Sequence, residues 1–196
     1  MNQILTDLLS EMEKFGKLYD SESSVHSQQM LNITRETGSF LSILVHAIRP
    51  KKVLEIGTSN GYSTLWIADA AKSGGRVTTV EISGRKSEMA EENIAKSGLA
   101  KWIDLVHEDV RTFLKKQPDE SYDFLFLDAE RSHYLSYWLD LKRVLKTGSL
   151  LVVDNALSPH PEELTEFFRV VEDTHEFVTQ VVHIGKGEFL AVRLRA

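Results

Sequence analysis

The sequence predicts an α/β fold with a central seven-stranded, mostly parallel sheet, a terminal antiparallel hairpin and helices on both faces. Short β-type runs alternate with helical stretches over residues 53–172, which is typical of βαβ units that form a parallel sheet. The fourth run, residues 124–127, is apolar throughout, as expected of a strand that is covered on both faces. The last two runs are joined only by residues 184–187, which predicts the hairpin.

The individual elements follow a helical segment, residues 1–50, which we interpret as a lid over a site or as an oligomer surface. Apolar and β-branched runs predict strands at residues 53–56, 76–80, 102–106, 122–127, 149–153, 177–183 and 188–194. Helices are predicted between them at residues 62–72, 85–97, 110–116, 133–145 and 161–172. Gly98 has the position of a helix C-cap, and Pro161 suits a first helical turn.

Length and composition favour one globular domain over residues 1–196, without repeats or linkers. The hydrophobic fraction of 42% and the charged fraction of 27% are ordinary for such a domain. The chain has no cysteine, which excludes disulfides, thiolate catalysis and cysteine-bound zinc. No run approaches the roughly 18 apolar residues of a membrane helix, and the N-terminus does not resemble a secretory signal. The cytoplasm is therefore the expected location.

The net charge of −6 argues against a protein built mainly to bind nucleic acid, because such proteins carry a basic excess. No membrane partner is expected either. Three apolar positions of the N-terminal segment would serve a partner subunit or pack on the protein's own sheet, namely Ile4, Leu8 and Leu9. We expect a homodimer with a small-molecule ligand.

The turn after the first predicted strand carries Gly57 and Gly61, which allow a tight turn and a close approach of a ligand to the backbone. A dinucleotide-binding loop would have further glycines where this chain has Ser59 and Tyr62, because a pyrophosphate needs a bare backbone there. S-adenosylmethionine has no phosphate and tolerates side chains at those positions. The loop therefore favours S-adenosylmethionine over NAD, with a plain strand-to-helix turn as the alternative.

Acidic residues follow the next two predicted strands. Glu81 stands 24 residues beyond Gly57, a spacing at which a carboxylate accepts hydrogen bonds from both hydroxyls of a ribose. Considered alone, Glu81 would be interpreted as a solvated loop acid. Asp109 follows the third strand and would accept from an adenine amino group or cap the next helix, two roles that are compatible.

Oxygen-bearing side chains follow the fourth and fifth predicted strands. Asp128 follows the fourth strand, and Asp154 and Asn155 follow the fifth. Strands one, four and five are expected to be neighbours, and ligands bind beyond the carboxyl ends of the strands in such sheets. Two carboxylates and an amide oxygen suit a hard cation such as Mg²⁺ or Ca²⁺. The alternative is a pair of acids that cap the turns at the strand ends.

These motifs make the chain resemble the cation-dependent O-methyltransferases, which include the catechol and caffeoyl-CoA O-methyltransferases and their small bacterial relatives. The resemblance covers about residues 33–193 and is carried by Leu54-Glu55-Ile56-Gly57-Thr58, Gly61-Tyr62-Ser63, Val80-Glu81, Phe126-Leu127-Asp128-Ala129, Tyr134, Asp154-Asn155 and Gly185-Lys186-Gly187. It implies a Rossmann-like methyltransferase fold of class I. It also implies an S-adenosylmethionine-dependent O-methyltransferase that acts on a small, catechol-like acceptor.

The resemblance further implies roles for individual residues. Ser63 would hold the carboxylate of the cofactor, Glu81 its ribose and Asp109 its adenine. The whole cofactor-binding set would be Glu55, Gly57, Thr58, Ser59, Gly61, Ser63, Glu81, Ile82, Asp109, Val110 and Asp128. A divalent metal, usually Mg²⁺, would lower the pKa of an acceptor hydroxyl. The resemblance implies three ligands for that metal, namely Asp128, Asp154 and Asn155.

The chain departs from the family where a lysine, three residues beyond the first aspartate, usually acts as general base. Arg131 stands there, and an arginine cannot accept the proton because its pKa lies above about 12. Metal alone would acidify the acceptor, or Arg131 would neutralise an acidic acceptor while His133 or His160 takes the proton. As a third explanation, catalysis on catechols would be lost or changed. The candidate catalytic residues are Arg131, His133 and His160.

Three other functions stay open on the sequence alone. A methyltransferase that acts on a hydroxylated tRNA base is disfavoured by the net charge. A cofactor-binding protein without turnover is suggested by Arg131, and an NAD-dependent oxidoreductase is disfavoured by Ser59 and Tyr62. Residues 156–159 differ from the leucine or tryptophan and glycine that often shape the acceptor pocket of the family, so the size of the acceptor is not carried over.

Overall fold

A computed structural model describes residues 1–25 and 28–194. Its α-helices in this range are α1 (Gln3–Glu22), α2 (Arg35–Ile48), α3 (Tyr62–Ala71), α4 (Gly84–Ser97), α5 (Val110–Lys116), α6 (Tyr134–Val144) and α7 (Thr165–Asp173). The strands are β1 (Lys52–Ile56), β2 (Arg76–Glu81), β3 (Ile103–His107), β4 (Tyr122–Leu127), β5 (Leu145–Val153), β6 (Phe177–Val182) and β7 (Glu188–Arg193). Short 3₁₀ turns lie at Ala100–Trp102, Arg131–His133 and Pro161–Leu164.

The strands form one seven-stranded sheet in the order β3-β2-β1-β4-β5-β7-β6. The pairs from β3 to β5 are parallel, and β7 runs antiparallel between β5 and β6. The predicted fold class, the terminal hairpin and the adjacency of strands one, four and five are confirmed. The strand order reverses between β1 and β4, so a crevice opens there at the carboxyl edge of the sheet.

Most predicted elements differ from the observed ones by one residue at one or both ends, and three differences have an evident structural reason. Trp102 belongs to a 3₁₀ turn and not to the third strand. The last helix begins at Thr165, because Pro161 opens a separate 3₁₀ turn before it. The fifth strand begins at Leu145, and its register against β4 shifts before Leu150, around a glycine at position 148 with φ of +80°.

Two hydrophobic layers cover the sheet, one on each face. One layer packs α1 to α4 on alternate strand residues such as Val53, Phe124 and Phe126. The other packs α5 to α7 on the intervening residues such as Leu54 and Leu125. This alternation follows from the two-residue period of a strand, which sends neighbouring side chains to opposite faces. The rigid sheet therefore fixes where the loops at its carboxyl edge begin.

The N-terminal segment packs on the first of these layers. Leu9 is fully buried and Leu8 nearly so, whereas Ile4 is 67% exposed. Two of the three apolar positions considered for a partner subunit therefore contact the protein's own core, and a homodimer stays a prediction. Among the described residues, no helix combines the length and the apolar character that crossing a membrane requires.

Candidate functional site

The turn after β1 depends on glycine at position 57. Gly57 has φ of +99°, and a Cβ atom there would overlap the carbonyl oxygen of Asp128. Gly61 has φ of +88° and precedes the first residue of α3. Ser59, between them, also adopts a positive φ of 50°. The backbone after β1 therefore lies directly against the end of β4, as the crevice between these strands requires.

The carboxylate of Glu81 is held by the backbone and does not lie free in solvent. Its Oε2 accepts from the backbone N–H of Ser59 at 2.8 Å, and its Oε1 accepts from the backbone N–H of Ser83 at 2.8 Å. The residue is 8% exposed. The alternative interpretation of Glu81 as a solvated loop acid is therefore wrong, because the side chain is buried and hydrogen-bonded. The two contacts fix the orientation of the carboxylate at the end of β2.

Glu55 is fully buried in β1 beneath the same turn. Its Oε1 accepts from Ser63 Oγ at 2.6 Å, and its Oε2 accepts from Thr79 Oγ1 at 2.6 Å and from Thr64 Oγ1. Burial raises the pKa of Glu55 to about 7, although the three hydroxyl donors oppose this shift. Glu55 therefore orients Ser63, which opens onto the crevice.

A cavity of about 490 Å³ occupies the crevice. Eight residues of the predicted cofactor set line it, namely Gly57, Thr58, Ser59, Ser63, Glu81, Ile82, Val110 and Asp128. Three members of that set do not line it, namely Glu55, Gly61 and Asp109. The sequence interpretation missed other lining residues, namely Gln28, Met30, Leu31, Asn32, Ile33, Tyr62, Val80, Ser83, Lys86, Ala129 and Glu130.

Residues 28–33 reach the cavity because side chains elsewhere anchor them. The carboxylate of Asp20 accepts from the backbone N–H of Met30 at 2.6 Å and of Leu31 at 2.9 Å. Ser59 Oγ donates to the carbonyl oxygen of Met30 at 2.8 Å. Residues 28–33 thus cover the turn after β1. The role of residues 1–50 as a lid or as an oligomer surface stays a prediction.

Asp109 is the N-cap of α5. Its Oδ1 accepts from the backbone N–H of Thr112 at 3.0 Å, as the capping interpretation expects. The next residue, Val110, lines the cavity. Asp109 thus places Val110 at the wall of the cavity, and its own contact with an adenine stays a prediction.

Asp128, Asp154 and Asn155 meet at the ends of β4 and β5, as predicted. Asn155 Nδ2 donates to Asp154 Oδ2 at 2.6 Å and lies 3.4 Å from Asp128 Oδ1. Asn155 has φ of +61°, which turns the chain back toward β4. Burial raises the pKa of Asp128 and of Asp154, and for Asp128 the neighbouring Asp154 carboxylate raises it further.

These three residues have the chemistry of a divalent-cation site. Asn155 Oδ1 is buried and has no hydrogen-bond partner among the described residues. The nitrogen and oxygen of an amide are interchangeable by a half-turn, which would present the oxygen to the two carboxylates. Within residues 1–25 and 28–194, no group of three or more His, Cys, Asp or Glu side chains could hold a metal ion. A site here would therefore depend on the amide oxygen of Asn155 beside the two aspartates.

Glu188 is a buried acid beside this cluster that the sequence interpretation missed. It begins β7, where Phe189 pairs with Val153, so Glu188 lies opposite Asp154. Thr37 Oγ1 donates to Glu188 Oε1 at 2.9 Å, and Glu188 Oε2 has no partner among the described residues. Burial, and then the nearby Asp154 carboxylate, raise the pKa of Glu188. The only sequence signal is an acid at the start of an otherwise apolar run.

Arg131 does not line the cavity. Its Nη1 donates to the carbonyl oxygen of Pro159 at 2.6 Å and lies 3.3 Å from that of His160. The same nitrogen forms an ion pair with Glu163 Oε2 at 3.2 Å. The guanidinium of Arg131 is thus directed at the chain that follows Asn155.

The two candidate histidines lie at the surface. His133 is exposed, and its ring centroid is 5.9 Å from that of Tyr137. His160 Nδ1 is 3.2 Å from Glu162 Oε1, and the His160 side chain is 69% exposed. Neither histidine lines the cavity. Their role as proton acceptors stays a prediction.

Comparison with known proteins assigns the chain to a family. A family model described as O-methyltransferase matches residues 9–186. The chain belongs to the O-methyltransferase family. The assignment confirms the resemblance inferred from the glycine turn and from the acids at the strand ends.

Individual members of the family are moderately similar in sequence. A catechol O-methyltransferase of Mycobacterium tuberculosis is 33% identical over 125 residues, which are 64% of this chain and 57% of that protein. A catechol O-methyltransferase of Niastella koreensis is 30% identical over 65% of this chain and 59% of that protein. A putative caffeoyl-CoA O-methyltransferase of Arabidopsis thaliana is 32% identical over 77% of this chain and 64% of its own length. The chain thus spans less than two thirds of the length of each of these relatives.

Solved structures share the fold. An O-methyltransferase from Bacillus cereus in complex with SAH has a TM-score of 0.80 at 23% identity, over 95% of this chain and 90% of that chain. A methyltransferase from Geobacter sulfurreducens has a TM-score of 0.81 at 24% identity, over 96% of this chain and 89% of that chain. At these identities the similarity shows the fold, and it confirms the Rossmann-like methyltransferase architecture.

Proposed function

We propose that the protein transfers the methyl group of S-adenosylmethionine to a hydroxyl group of a small, catechol-like acceptor, assisted by a divalent cation. One observation carries the proposal. A single cavity is lined by Glu81, by the turn at Gly57 and Ser59, and by Asp128, which Asn155 links to Asp154. A cofactor in that cavity would place its methyl group near the oxygen cluster. The catechol O-methyltransferases among the relatives and the SAH-bound structure with the same fold support this proposal.

S-adenosylmethionine supplies an activated methyl group, so the main task of the protein is to bind and orient it. Glu81 would accept from the ribose hydroxyls, and the backbone N–H groups of Ser59 and Ser83 orient its carboxylate beforehand. Ser63 lines the cavity and would bind the cofactor's carboxylate if its single hydroxyl hydrogen, which it donates to Glu55 in this structure, turned toward that ligand. Hydrogen bonds to charged groups of this kind contribute roughly 1.5–3 kcal/mol each.

The adenine end of the cofactor would lie beside Ile82 and Val110. Both residues line the cavity at the ends of β2 and β3, where they present apolar surface. Asp109, the N-cap of α5, would accept from the adenine amino group through the carboxylate oxygen that does not cap the helix. Contacts of this kind would select the adenosine group and leave the methionine end near Asp128.

Asp128, Asp154 and Asn155 would hold the divalent cation, because carboxylate and amide oxygens suit Mg²⁺. When bound, such a cation lowers the pKa of a neighbouring hydroxyl group of the acceptor. The protein holds the acceptor oxygen and the methyl group in register, and this positioning supplies a large share of a rate enhancement. The carboxylates of Asp128 and Asp154 would thereby hold the charge of the cation close to the cofactor's methyl group.

Loss of the acceptor's proton would not need a protein base in the cavity. Arg131 does not line the cavity, and no histidine among the described residues lines it either. This arrangement favours the explanation in which the cation alone acidifies the acceptor. A homodimer, a single domain over residues 1–196 and a cytoplasmic location stay predictions.

Calorimetric titration of Mg²⁺ and Mn²⁺ into the protein loaded with S-adenosylhomocysteine tests the cation site. We expect saturable binding that the Asp154→Ala variant loses. No binding to the folded, loaded wild type would contradict the role of the cation. Incubation with S-adenosylmethionine and catechol, followed by mass spectrometry, tests the reaction itself. Absence of a methylated product with and without Mg²⁺ would contradict the proposed acceptor class.

A further inference from the structure

Residues 157–163, the 157–163 loop, connect the Asp154–Asn155 corner to α7. Every residue of this loop is exposed. The loop begins where the backbone N–H of Leu157 donates to the carbonyl oxygen of Lys186 at 3.0 Å. It ends at Leu164, which is fully buried. Between these two anchors the loop has no buried side chain to hold it in place.

Arg131 supplies the missing anchor. Within the described part of the chain, every hydrogen bond that joins residues 158–163 to a distant element comes from Arg131. Its Nη1 reaches the carbonyl oxygens of Pro159 and His160 and the carboxylate of Glu163. The Arg131 side chain is only 14% exposed. Bonds from a charged donor in such a place are stronger than neutral ones.

The position of Arg131 connects the two halves of the proposed cation site. Arg131 opens the 3₁₀ turn that follows β4, three residues beyond Asp128. Its partners lie in the loop that follows β5, beyond Asp154 and Asn155. All three contacts come from Nη1, whose two hydrogens the three acceptors share. A lysine would replace the rigid, planar guanidinium by a compact charge on a flexible stem.

We propose that Arg131 is a positioning residue that fixes the 157–163 loop and thereby shapes the acceptor end of the site. The proposal rests on the proposed function for the statement that this end holds the acceptor. It explains why an arginine stands where a catalytic lysine is expected. Arg131 acts through the loop and exchanges no proton.

Amide hydrogen exchange on the full-length protein tests the anchor. We expect Arg131→Met to speed exchange at the hydrogen-bonded amides of Leu157, Glu163 and Thr165 by about tenfold or more, because local opening becomes easier. Arg131→Lys restores part of the bonding and should give an intermediate rate. Arg169→Met is the matched control, since Arg169 is exposed and pairs only within α7. Unchanged exchange in Arg131→Met, or equal acceleration in the control, would overturn the proposal.

Binding and turnover separate the loop from the cofactor end. The affinity for S-adenosylhomocysteine should stay within about twofold of wild type in Arg131→Met, and a larger loss would overturn the proposal by placing Arg131 in the cofactor site. With catechol as acceptor, KM should rise by a larger factor than kcat falls. A higher kcat in Arg131→Lys would instead identify a missing base. If the wild type transfers no methyl group, the proposed function fails, and the exchange rates still decide whether Arg131 fixes the loop.

Discussion

At the cofactor end of the cavity, the buried acids Glu55 and Glu81 accept hydrogen bonds on both of their oxygens. At the opposite end three acids lie close together, of which Asp154 and Glu188 are buried and Asp128 is half-buried. No ion pair among the described residues reaches the three acids, although the charges of Lys186 and Arg131 oppose the rise in the pKa of Asp128 and of Asp154. Asn155 and Thr37 donate to the acids at this end, but one oxygen of Glu188 has no partner among the described residues. The protein thus compensates this end less completely than the cofactor end.

This difference indicates what each end requires. A buried carboxylate is costly unless hydrogen bonds or an opposite charge compensate for its lost hydration. The cofactor end has its hydrogen bonds in place before any ligand arrives, so it is preorganised to bind, although burial still raises the pKa of Glu55. The other end lowers stability until a cation or a proton arrives, which is common at sites selected for function and not for stability.

The largest expected effect is at the turn after β1. Gly57→Ala should destabilise the protein by at least about 3 kcal/mol, because the new Cβ overlaps the Asp128 carbonyl oxygen and φ is unfavourable for alanine. Gly98→Ala is the matched control, since Gly98 has φ of +73° with no atom within 4 Å of the added Cβ. The control should lose only about 1–2 kcal/mol. Equal losses of stability in thermal unfolding would contradict this account of the turn.

The pKa of Glu55 makes the stability of the cofactor end depend on pH. Its folded pKa of about 7 lies above the ordinary 4.5, so protonation favours the folded state. The stabilising contribution is fully present below the ordinary pKa and is lost as the pH rises through the folded one. Glu55→Gln should therefore flatten the fall in stability over that window by up to about 1.4 kcal/mol per pH unit. Urea unfolding measured at several pH values between 4.5 and about 7 tests this prediction. The same pH dependence of the free energy of unfolding in both proteins would contradict it.

At the end of the cavity that holds Asp154, we expect a substitution to raise stability, in contrast to the loss expected for Gly57→Ala. Asp154→Asn should stabilise the metal-free protein by about 1 kcal/mol, because one of the crowded buried carboxylates is removed. Asp123→Asn is the control at the far end of β4. Asp123 accepts from the backbone N–H groups of Lys51 and Lys52 at 2.8 Å and pairs with Lys146 at 2.6 Å. These partners hold the pKa of Asp123 below its ordinary value, against the opposing effect of burial.

Thermal unfolding without metal measures this pair of variants. We expect the midpoint of Asp154→Asn to rise by roughly 2–4 °C and that of Asp123→Asn to fall. Saturating Mg²⁺ should then raise the unfolding midpoint of the wild type above that of Asp154→Asn, because only the wild type binds the ion tightly. Equal destabilisation by both substitutions would show that the protein already compensates the buried carboxylate of Asp154. That result would contradict the difference described between the two ends of the cavity.

Local patterns in the sequence predict the parts of the site that follow strands. Gly57, Glu81, Asp128 and Asp154 each stand directly after an apolar or β-branched run, and strand order alone brings them to one edge of the sheet. The remaining parts depend on contacts between distant residues, which no local pattern reveals. Thr37 meets Glu188 across 151 positions of the chain, for example.

The lining by residues 28–33 and the anchor at Arg131 are of this second kind. Ser59 binds the carbonyl of Met30 only because α1 and α2 pack on the sheet. Arg131 meets Pro159 across 28 positions of the chain. Sequence reasoning identified Arg131 as unusual for the family, but only the packing shows which groups its side chain contacts.

The central claim is that the cavity beside β1 and β2 binds S-adenosylmethionine through Glu81. Calorimetric titration of S-adenosylhomocysteine into the wild type, Glu81→Gln and the exposed control Glu92→Gln tests it most directly. We predict saturable one-to-one binding by the wild type and the control, and a loss of affinity of about tenfold or more in Glu81→Gln. Equal affinity in all three proteins, or no binding by the folded wild type, would contradict the account.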